Sequence, residues 1–274
     1  MMPAARQALR CYNRVMSVDT PLSPGALERP QQHWGAILGA GCVIFLVSGM
    51  AGILGGGLLV LGLASWMFGP EAVLHFPDNY DQLAPEAKAL LSKDGILVCT
   101  ALFIVPIAIV LLRILLSSGS TFREYLGLKW PGLRQGLRWG LLILAVDYAT
   151  LWLTTWLPVG WSEVNHFEKI GHIPLFLPLV VLSLAVLVPI FEELLFRGFL
   201  LEGLRRSSLG EIGAILLTST LWAVIHPGGP VRWLELFICG ALMALARLRT
   251  GSTYLTIVVH CIFNLVAVLL TAFA

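Results

Sequence analysis

Long apolar blocks alternate with short polar connections along this chain of 274 residues. Many blocks approach the roughly 20 residues that a helix needs to cross a bilayer. The strict alternation typical of membrane β-strands is not seen. The pattern therefore predicts an all-α, polytopic membrane helix bundle of about seven transmembrane helices. The predicted segments are 35–68, 96–116, 137–157, 174–203, 211–226, 232–248 and 253–273.

Segment length and proline positions refine this picture. The first and fourth segments are longer than one crossing needs, so we expect them to tilt, kink or re-enter the membrane. The fifth and sixth are short, which suits helices buried inside a bundle. Pro106 and Pro189 fall within segments and predict kinks there.

Composition supports a membrane protein and excludes other classes. Hydrophobic residues make up 57% of the chain, charged residues 12%, and the mean hydropathy is +0.84. Soluble domains carry about 25% charged residues, so a soluble enzyme is excluded, as is a disordered chain. The net charge of +2 without a basic stripe excludes nucleic acid as a partner. The expected partners are the lipid bilayer and a peptide or protein substrate, and the oligomeric state is undetermined.

Lysine and arginine are concentrated in alternate connections, which predicts orientation. Cytoplasmic loops are enriched in these residues, so we expect the cell (inner) membrane as location and a cytoplasmic N-terminus. The polar first 33 residues lack the apolar core of a signal peptide, so the first block is expected to be a retained span. The basic connections contain Arg6, Arg10, Arg14 and Arg29; Arg123, Lys129, Arg134 and Arg138; Arg205 and Arg206; and Arg247 and Arg249.

The cysteine spacing does not indicate a disulfide or zinc framework. The five cysteines form no CxxC pair and no disulfide or zinc pattern, so we interpret them as small buried hydrophobic residues. They are Cys11, Cys42, Cys99, Cys239 and Cys261.

Ionisable residues within membrane segments are expensive and usually functional. Here they concentrate in the C-terminal half of the chain. Glu193 and Arg197 are four residues apart and share a helix face, whereas Glu192 is rotated by about 100°. Counted along their helices, Glu192, His226 and His260 in the fourth, fifth and seventh segments lie at similar depth, so we expect one polar pocket. Its predicted members are Glu192, Glu193, Arg197, His226, His260 and Asn264.

This set of side chains suits the hydrolysis of a peptide bond. A glutamate in an apolar site can act as general base on water, a histidine can relay the proton, and a second histidine with an asparagine can donate to an oxyanion. Glu192, His226 and His260 also form a possible zinc ligand set with one open position. Since no HExxH or similar metal spacing occurs, we favour catalysis without a cofactor and keep zinc open.

Each element also has a structural interpretation. A charge cluster such as Glu193 and Arg197 can hold two helices together, and an isolated histidine such as His226 can be a hydrogen-bonded packing residue. A pair such as His260 and Asn264 can join helices. Asp147 has no evident partner, and we interpret it as structural or as lining an access path.

Four motifs in this order resemble the CAAX-protease and bacteriocin-processing (CPBP) family, which includes the Rce1-type CAAX prenyl endopeptidases. EELLFR at 192–197 resembles EExxxR, and Trp222-Ala-Val-Ile-His226 resembles FxxxH with tryptophan for phenylalanine. Phe237-Ile-Cys-Gly240 matches FxxG, and His260-Cys-Ile-Phe-Asn264 matches HxxxN.

The resemblance implies roles for these residues. Glu192 would activate water with help from His226, and Glu193 would pair with Arg197 to orient the site. His260 and Asn264 would form the oxyanion pocket. The family is interpreted both as metalloprotease and as glutamate protease, so the resemblance leaves the metal undecided.

The expected function is therefore that of an intramembrane endopeptidase with a glutamate-activated water. Its substrate would be a CAAX-type tail, a bacteriocin or peptide precursor, or a C-terminal sorting helix. The alternatives are a non-catalytic protein of the same fold, such as a bacteriocin-immunity factor, and a proton-coupled transporter. The expected organisation is a cytoplasmic arm at 1–33, accessory transmembrane helices and loops at 34–170, and a protease core at 171–274. This core would consist of the last four helices of the chain.

Overall fold

The computed structural model describes residues 33–78, 80–116, 122–155 and 176–273, and their secondary structure is entirely helical. The arm predicted at 1–33 lies outside the described residues except for His33, and most of the loop predicted after the third span lies outside them too. In chain order the helices are α1 (Trp34–Phe68), α2 (Glu71–Leu74), α3 (Pro85–Leu90), α4 (Lys93–Leu115), α5 (Phe122–Leu126), α6 (Leu133–Thr155), α7 (Leu177–Arg205), α8 (Gly210–Val224), α9 (Pro230–Thr250) and α10 (Thr253–Phe273), with a 3₁₀ turn at Tyr80–Gln82.

Within the described residues, each of the seven predicted segments is a helix, so the all-helical membrane fold is confirmed. Four of these helices are long and apolar enough to cross a membrane, with mean hydropathies of 2.2 to 2.9. They are Trp34–Phe68, Gly95–Leu115, Leu177–Arg205 and Thr253–Leu270. Helix α8 is apolar but shorter, and α6 and α9 carry charged residues. A total of seven spans stays a prediction.

Glycines allow α1 and α4 to pack closely. A Cβ atom on Gly56 would lie 2.7 Å from the backbone nitrogen of Thr100, and one on Gly52 would lie 2.9 Å from the Thr100 Cγ2 atom. Small residues allow this backbone approach between membrane helices. The opposite face of α1 exposes large apolar side chains such as Met50 and Leu58, at 66% and 71%, which is the surface expected against lipid.

Helix α7 is central, because it packs against α1, α4, α5, α8, α9 and α10. Every residue from 191 to 204 is consequently buried. Two stretches of α7 are π-helical, Val181–Leu187 and Leu194–Leu200, and they flank the regular turn at Val188–Glu193. Such wide turns are rare in proteins as a whole, and those that occur are often found at functional sites. Two of the predicted site residues lie in the regular turn between them, and Arg197 lies in the second wide turn.

Two expectations about local structure need correction. The fifth segment was expected to reach residue 226, but α8 ends at Val224 and His226 lies in the following turn. The reason is the sequence that follows, because Pro227 disfavours a helical conformation in the residue before it. Cys42 is exposed rather than buried, although Cys99 is buried and Cys239 and Cys261 are partly buried.

Candidate active site

Glu193 lies at the centre of a fully buried cluster formed by α7 and α10. Its Oε1 atom accepts a hydrogen bond from Arg197 Nη1 at 2.8 Å, and His260 Nδ1 lies 3.0 Å from the same oxygen. Glu193 and Arg197 are 0% and 1% exposed. A buried charge needs a partner with good hydrogen-bonding geometry, and Arg197 provides one from the same helix.

Glu192 faces a second group of side chains, as the rotation between adjacent helical residues requires. Its Oε2 atom accepts a hydrogen bond of 2.6 Å from Trp222 Nε1. His226 Nε2 lies 3.8 Å from Glu192 Oε1, and His260 Nε2 lies 4.0 Å from Glu192 Oε2. The structure therefore brings one carboxylate and two imidazoles together from α7, α10 and the turn after α8.

The hydrogen bonds of both imidazoles indicate their tautomers. His226 Nδ1 lies 2.7 Å from the backbone oxygen of Trp222, and His260 Nδ1 faces the Glu193 carboxylate. Carbonyl and carboxylate oxygens only accept hydrogen bonds, so both Nδ1 atoms carry a proton. In the neutral imidazoles, the lone pairs of both Nε2 atoms consequently face Glu192.

Trp222 makes a polar contact that its interpretation as a bulky substitute for phenylalanine did not anticipate. Besides donating to Glu192, its ring stands edge-on to His226 and His260 with centroids 5.0 and 5.6 Å away. The Arg197 guanidinium lies 4.5 Å over the indole. A buried indole N–H usually finds a hydrogen-bond partner. The tryptophan at this position was therefore the feature of the sequence that could have indicated a polar contact. Trp222 joins the two carboxylate clusters.

Gly240 of the FxxG motif has a steric role. Arg197 Nη2 donates to its carbonyl oxygen at 3.4 Å. A Cβ atom here would lie 3.1 Å from the Trp222 ring and 3.3 Å from Arg197 Nη2. Glycine therefore lets α9 approach the indole and the guanidinium.

Asn264 is placed differently from the other predicted residues. Its Nδ2 atom donates to the backbone oxygen of Leu184 at 2.9 Å. In the adjacent wide turn, the amide of Val188 bonds back to Ser183. In the same pattern, the backbone oxygen of Leu184 would accept a hydrogen bond from the amide of Pro189, five residues later, but proline has no N–H. Asn264 thus supplies the donor that the proline lacks, and its second amide proton stays available for the oxyanion role expected from the sequence.

Asp147 lies closer to this region than the sequence indicated. It is 3% exposed, it lies beside the thiol of Cys239, and it is within electrostatic range of His260 and Arg197. Glu235 of α9, 4% exposed, also interacts with it electrostatically. Nothing in the local sequence of Asp147 shows this neighbourhood, because α6 and α9 meet only in the fold.

The donor chemistry of Glu192, His226 and His260 suits zinc. However, the described residues contain no group of three or more His, Cys, Asp or Glu side chains arranged to hold a metal ion. The zinc hypothesis stays a prediction.

Comparison with known proteins finds a family match in the C-terminal part of the chain. Residues 174–266 match the family described as Type II CAAX prenyl endopeptidase Rce1-like, and this range contains all four motifs. A curated Escherichia coli protein, described as an uncharacterized 24.3 kDa protein, is 34% identical over 86 residues. That alignment covers 30% of this chain and 39% of the relative. No solved structure matches the chain.

The matched family is one of membrane proteases of the CAAX-protease kind. The apolar helices agree with it, because four of them are able to cross a membrane. The C-terminal part of this chain, residues 174–266, thus matches the Rce1-like family, and the resemblance carried by the four motifs is confirmed.

Proposed function

We propose that this protein is an intramembrane endopeptidase in which Glu192 activates the attacking water. The observation that carries the proposal is the arrangement of His226 and His260 around Glu192, at 3.8 and 4.0 Å. Polar contacts beyond about 3.5 Å are often bridged by water. A water molecule between His226 Nε2 and Glu192 Oε1 would donate one proton to each of them, and the carboxylate is able to take one of these protons.

The first step is the addition of water to the scissile carbonyl. The water oxygen forms a bond to the carbonyl carbon, one water proton passes to Glu192, and the carbonyl electron pair moves to the oxygen. The lone pair of His226 Nε2 accepts a hydrogen bond from the remaining water proton. The Trp222 N–H fixes Glu192 Oε2, which leaves Oε1 as the base.

The resulting oxyanion needs hydrogen-bond donors. His260 donates from Nε2 when both of its ring nitrogens carry protons, and the Glu193 carboxylate lies 3.0 Å from Nδ1. The second amide proton of Asn264 is the other donor proposed. One such donor typically contributes a factor of about 10²–10³ to kcat.

In the second step the tetrahedral intermediate collapses. The carbon–nitrogen bond breaks, the amine takes the proton held by Glu192, and the products are a carboxylic acid and an amine. Glu193 and Arg197 do not exchange protons in this scheme. They are positioning residues, because Arg197 neutralises Glu193 and Glu193 orients His260.

The test compares wild-type protein with Glu192→Gln, which keeps the shape and the hydrogen bond from Trp222 but removes the base. We expect Glu192→Gln to abolish cleavage while its thermal melting stays like that of the wild type. Cleavage is measured by mapping new peptide termini in membrane fractions and by hydrolysis of a prenylated peptide with a CAAX end. Glu86→Gln on α3 is the matched control and should remain active.

A folded Glu192→Gln protein with wild-type turnover would overturn this mechanism. The non-catalytic and transporter alternatives make a different prediction, namely that wild type and Glu192→Gln give identical peptide termini. The same maps separate the proposed substrates, because a CAAX tail, a peptide precursor and a sorting helix leave different new ends.

A further inference from the structure

A charged cavity of about 560 Å³ lies at the end of the bundle where α7 and α9 end, beside the start of α10. Small-molecule sites commonly occupy about 300–1,000 Å³, so the volume suits a ligand group. Five basic residues are among its lining, and they come from three separate parts of the chain, namely α5 with its following connector, the end of α7, and α9. They are Arg123, Lys129, Arg205, Arg206 and Arg247.

Three of these guanidinium groups converge on one buried carboxylate, that of Glu202. Arg205 donates to its two oxygens from Nε and Nη2 at 2.7 and 2.8 Å, and Arg206 Nε donates at 2.6 Å. Arg247 Nη2 lies 3.9 Å away. One carboxylate neutralises only one of three cations, and each guanidinium has five N–H donors. The cluster therefore keeps positive charge and donors for an anion.

The base of the cavity is preorganised. Arg247 is 5% exposed, and its Nε atom donates to Thr253 Oγ1 at 2.8 Å. Thr253 in turn donates to the backbone oxygen of Leu126. Gly127 has φ +65°, and a Cβ atom there would lie only 2.3 Å from the Arg247 guanidinium carbon. The connector after α5 is thereby docked on Arg247.

The remaining charges do not cancel this excess. Two further lining carboxylates, Glu124 and Glu211, are exposed, so five cations face three carboxylates. Tyr125 lies under Arg206, with the guanidinium carbon 5.4 Å from its ring. Burial and the nearby Glu202 raise the pKa of Tyr125 to about 12, so its phenol adds no negative charge.

The position of the cavity indicates which anion it meets. Two helices able to cross the membrane end or begin beside it, at Arg205 and Thr253. The rings of Trp130 and Tyr254 contact each other next to it, with centroids 5.1 Å apart and an angle of 40° between their planes, and Trp130 is 70% exposed. Tryptophan and tyrosine are enriched at the membrane–water interface. Phospholipid phosphates lie at that level, and basic pockets between membrane helices bind them.

We propose that this cavity binds the phosphate of an anionic phospholipid headgroup. Arg205 and Arg206, with side chains 34% and 31% exposed, would contact the phosphate, and Lys129 at the rim would add charge. Arg247 and Glu202 would hold these donors in place. The proposal does not depend on the peptidase activity described above.

The test uses the full-length protein in nanodiscs of mixed phosphatidylglycerol and phosphatidylcholine, with bound lipids identified by native mass spectrometry. We expect the wild type to retain phosphatidylglycerol preferentially. Arg206→Gln and Lys129→Gln should each weaken that preference by about fivefold, because one cation near the surface is worth about that factor. Arg138→Gln on α6 changes the same charge outside the cavity and should have no effect.

Two further arms identify the source of the phosphate. Inorganic phosphate should compete only weakly, since the lipid is also held by the bilayer. Competition by inorganic phosphate at the same concentration as the lipid headgroup would overturn the lipid assignment. An equal loss in Arg138→Gln would show a general surface-charge effect and would also overturn it. Lys129 is exposed, so Lys129→Gln keeps the test decisive even where Arg206→Gln does not fold.

Discussion

At the scale of single residues, the site consists of two carboxylates that neighbouring positions on one helix direct to different partners. Glu193 is paired with Arg197 and orients His260, whereas Glu192 faces two imidazoles and the indole of Trp222. The proposed division of labour follows from these contacts. A carboxylate already neutralised by Arg197 is a poor base, and the one left beside the imidazoles is the better candidate.

Trp222→Phe tests the polar contact that this chain adds to the FxxxH motif. The change keeps an aromatic ring but removes the N–H donated to Glu192. Since a hydrogen bond to a charged group is worth about 1.5–3 kcal/mol, we expect kcat/KM to fall by about tenfold or more. Unchanged kcat/KM in a folded Trp222→Phe protein would show that Glu192 is positioned without the indole. Trp66→Phe, whose ring is 82% exposed, is the matched control.

Asn264→Ala separates the two roles of this side chain. Loss of the bond to Leu184 leaves a carbonyl oxygen without a donor beside Pro189, which costs about 1–3 kcal/mol. We expect a lower melting temperature in detergent together with reduced kcat. A fall in kcat at wild-type stability would leave only the oxyanion role, and a fall in stability at wild-type kcat would leave only the structural one.

At the scale of helices, α7 positions the two glutamates both through its own irregular turns and through the helices packed around it. Its two wide turns and Pro189 interrupt the regular ladder on both sides of the glutamates. Periodicity in the sequence indicates a long apolar helix here, but it does not distinguish a π-helical turn from an α-helical one. The same limitation applied to α8, whose last turn is lost to Pro227 and leaves His226 in a more exposed position.

Gly56→Ala tests the close approach of α1 and α4. The new Cβ atom would lie 2.7 Å from a backbone atom of Thr100, so the helices must move apart, at a cost of about 1–3 kcal/mol for overpacking. We expect a clearly lower melting temperature in detergent. Gly57→Ala is the matched control, since no atom lies within 4 Å of its new Cβ and alanine favours a helix by about 1 kcal/mol. Equal effects of both changes would contradict tight packing at Gly56.

At the scale of the whole molecule, the described helices place the proposed catalytic cluster within the bundle and the basic cavity at one of its ends. The ends of α7 and α9 line that cavity, and the start of α10 lies beside it. The connection containing α2 and α3 lies at the opposite end of α1 and α4. The positive-inside rule predicts that the basic end lies in the cytoplasm.

This orientation is tested by labelling introduced cysteines with a membrane-impermeant maleimide. Ser208, between α7 and α8, and Asp78, between α1 and α4, are both exposed. We expect Ser208→Cys to react only after cell lysis and Asp78→Cys to react in intact cells. The reverse result would invert the topology, and the wild-type protein corrects for its own cysteines.

The membrane class, the helix segments and the six candidate residues were all accessible from the sequence. Apolar periodicity is local, and a span of about 20 apolar residues leaves few alternatives to a membrane helix. Polar residues in such spans are conspicuous for the same reason, so Glu192, Glu193 and His260 stood out without a structure.

Contacts between distant helices were decided only by the tertiary structure. Trp222 donates to Glu192, Asn264 replaces the missing amide of Pro189, and Asp147 lies near the proposed catalytic cluster. None of these follows from spacing, because a helix period shows which residues share a face but not which partner that face meets. A buried hydrogen-bonding group must be satisfied by whatever the packing brings to it, and packing is a property of the whole bundle.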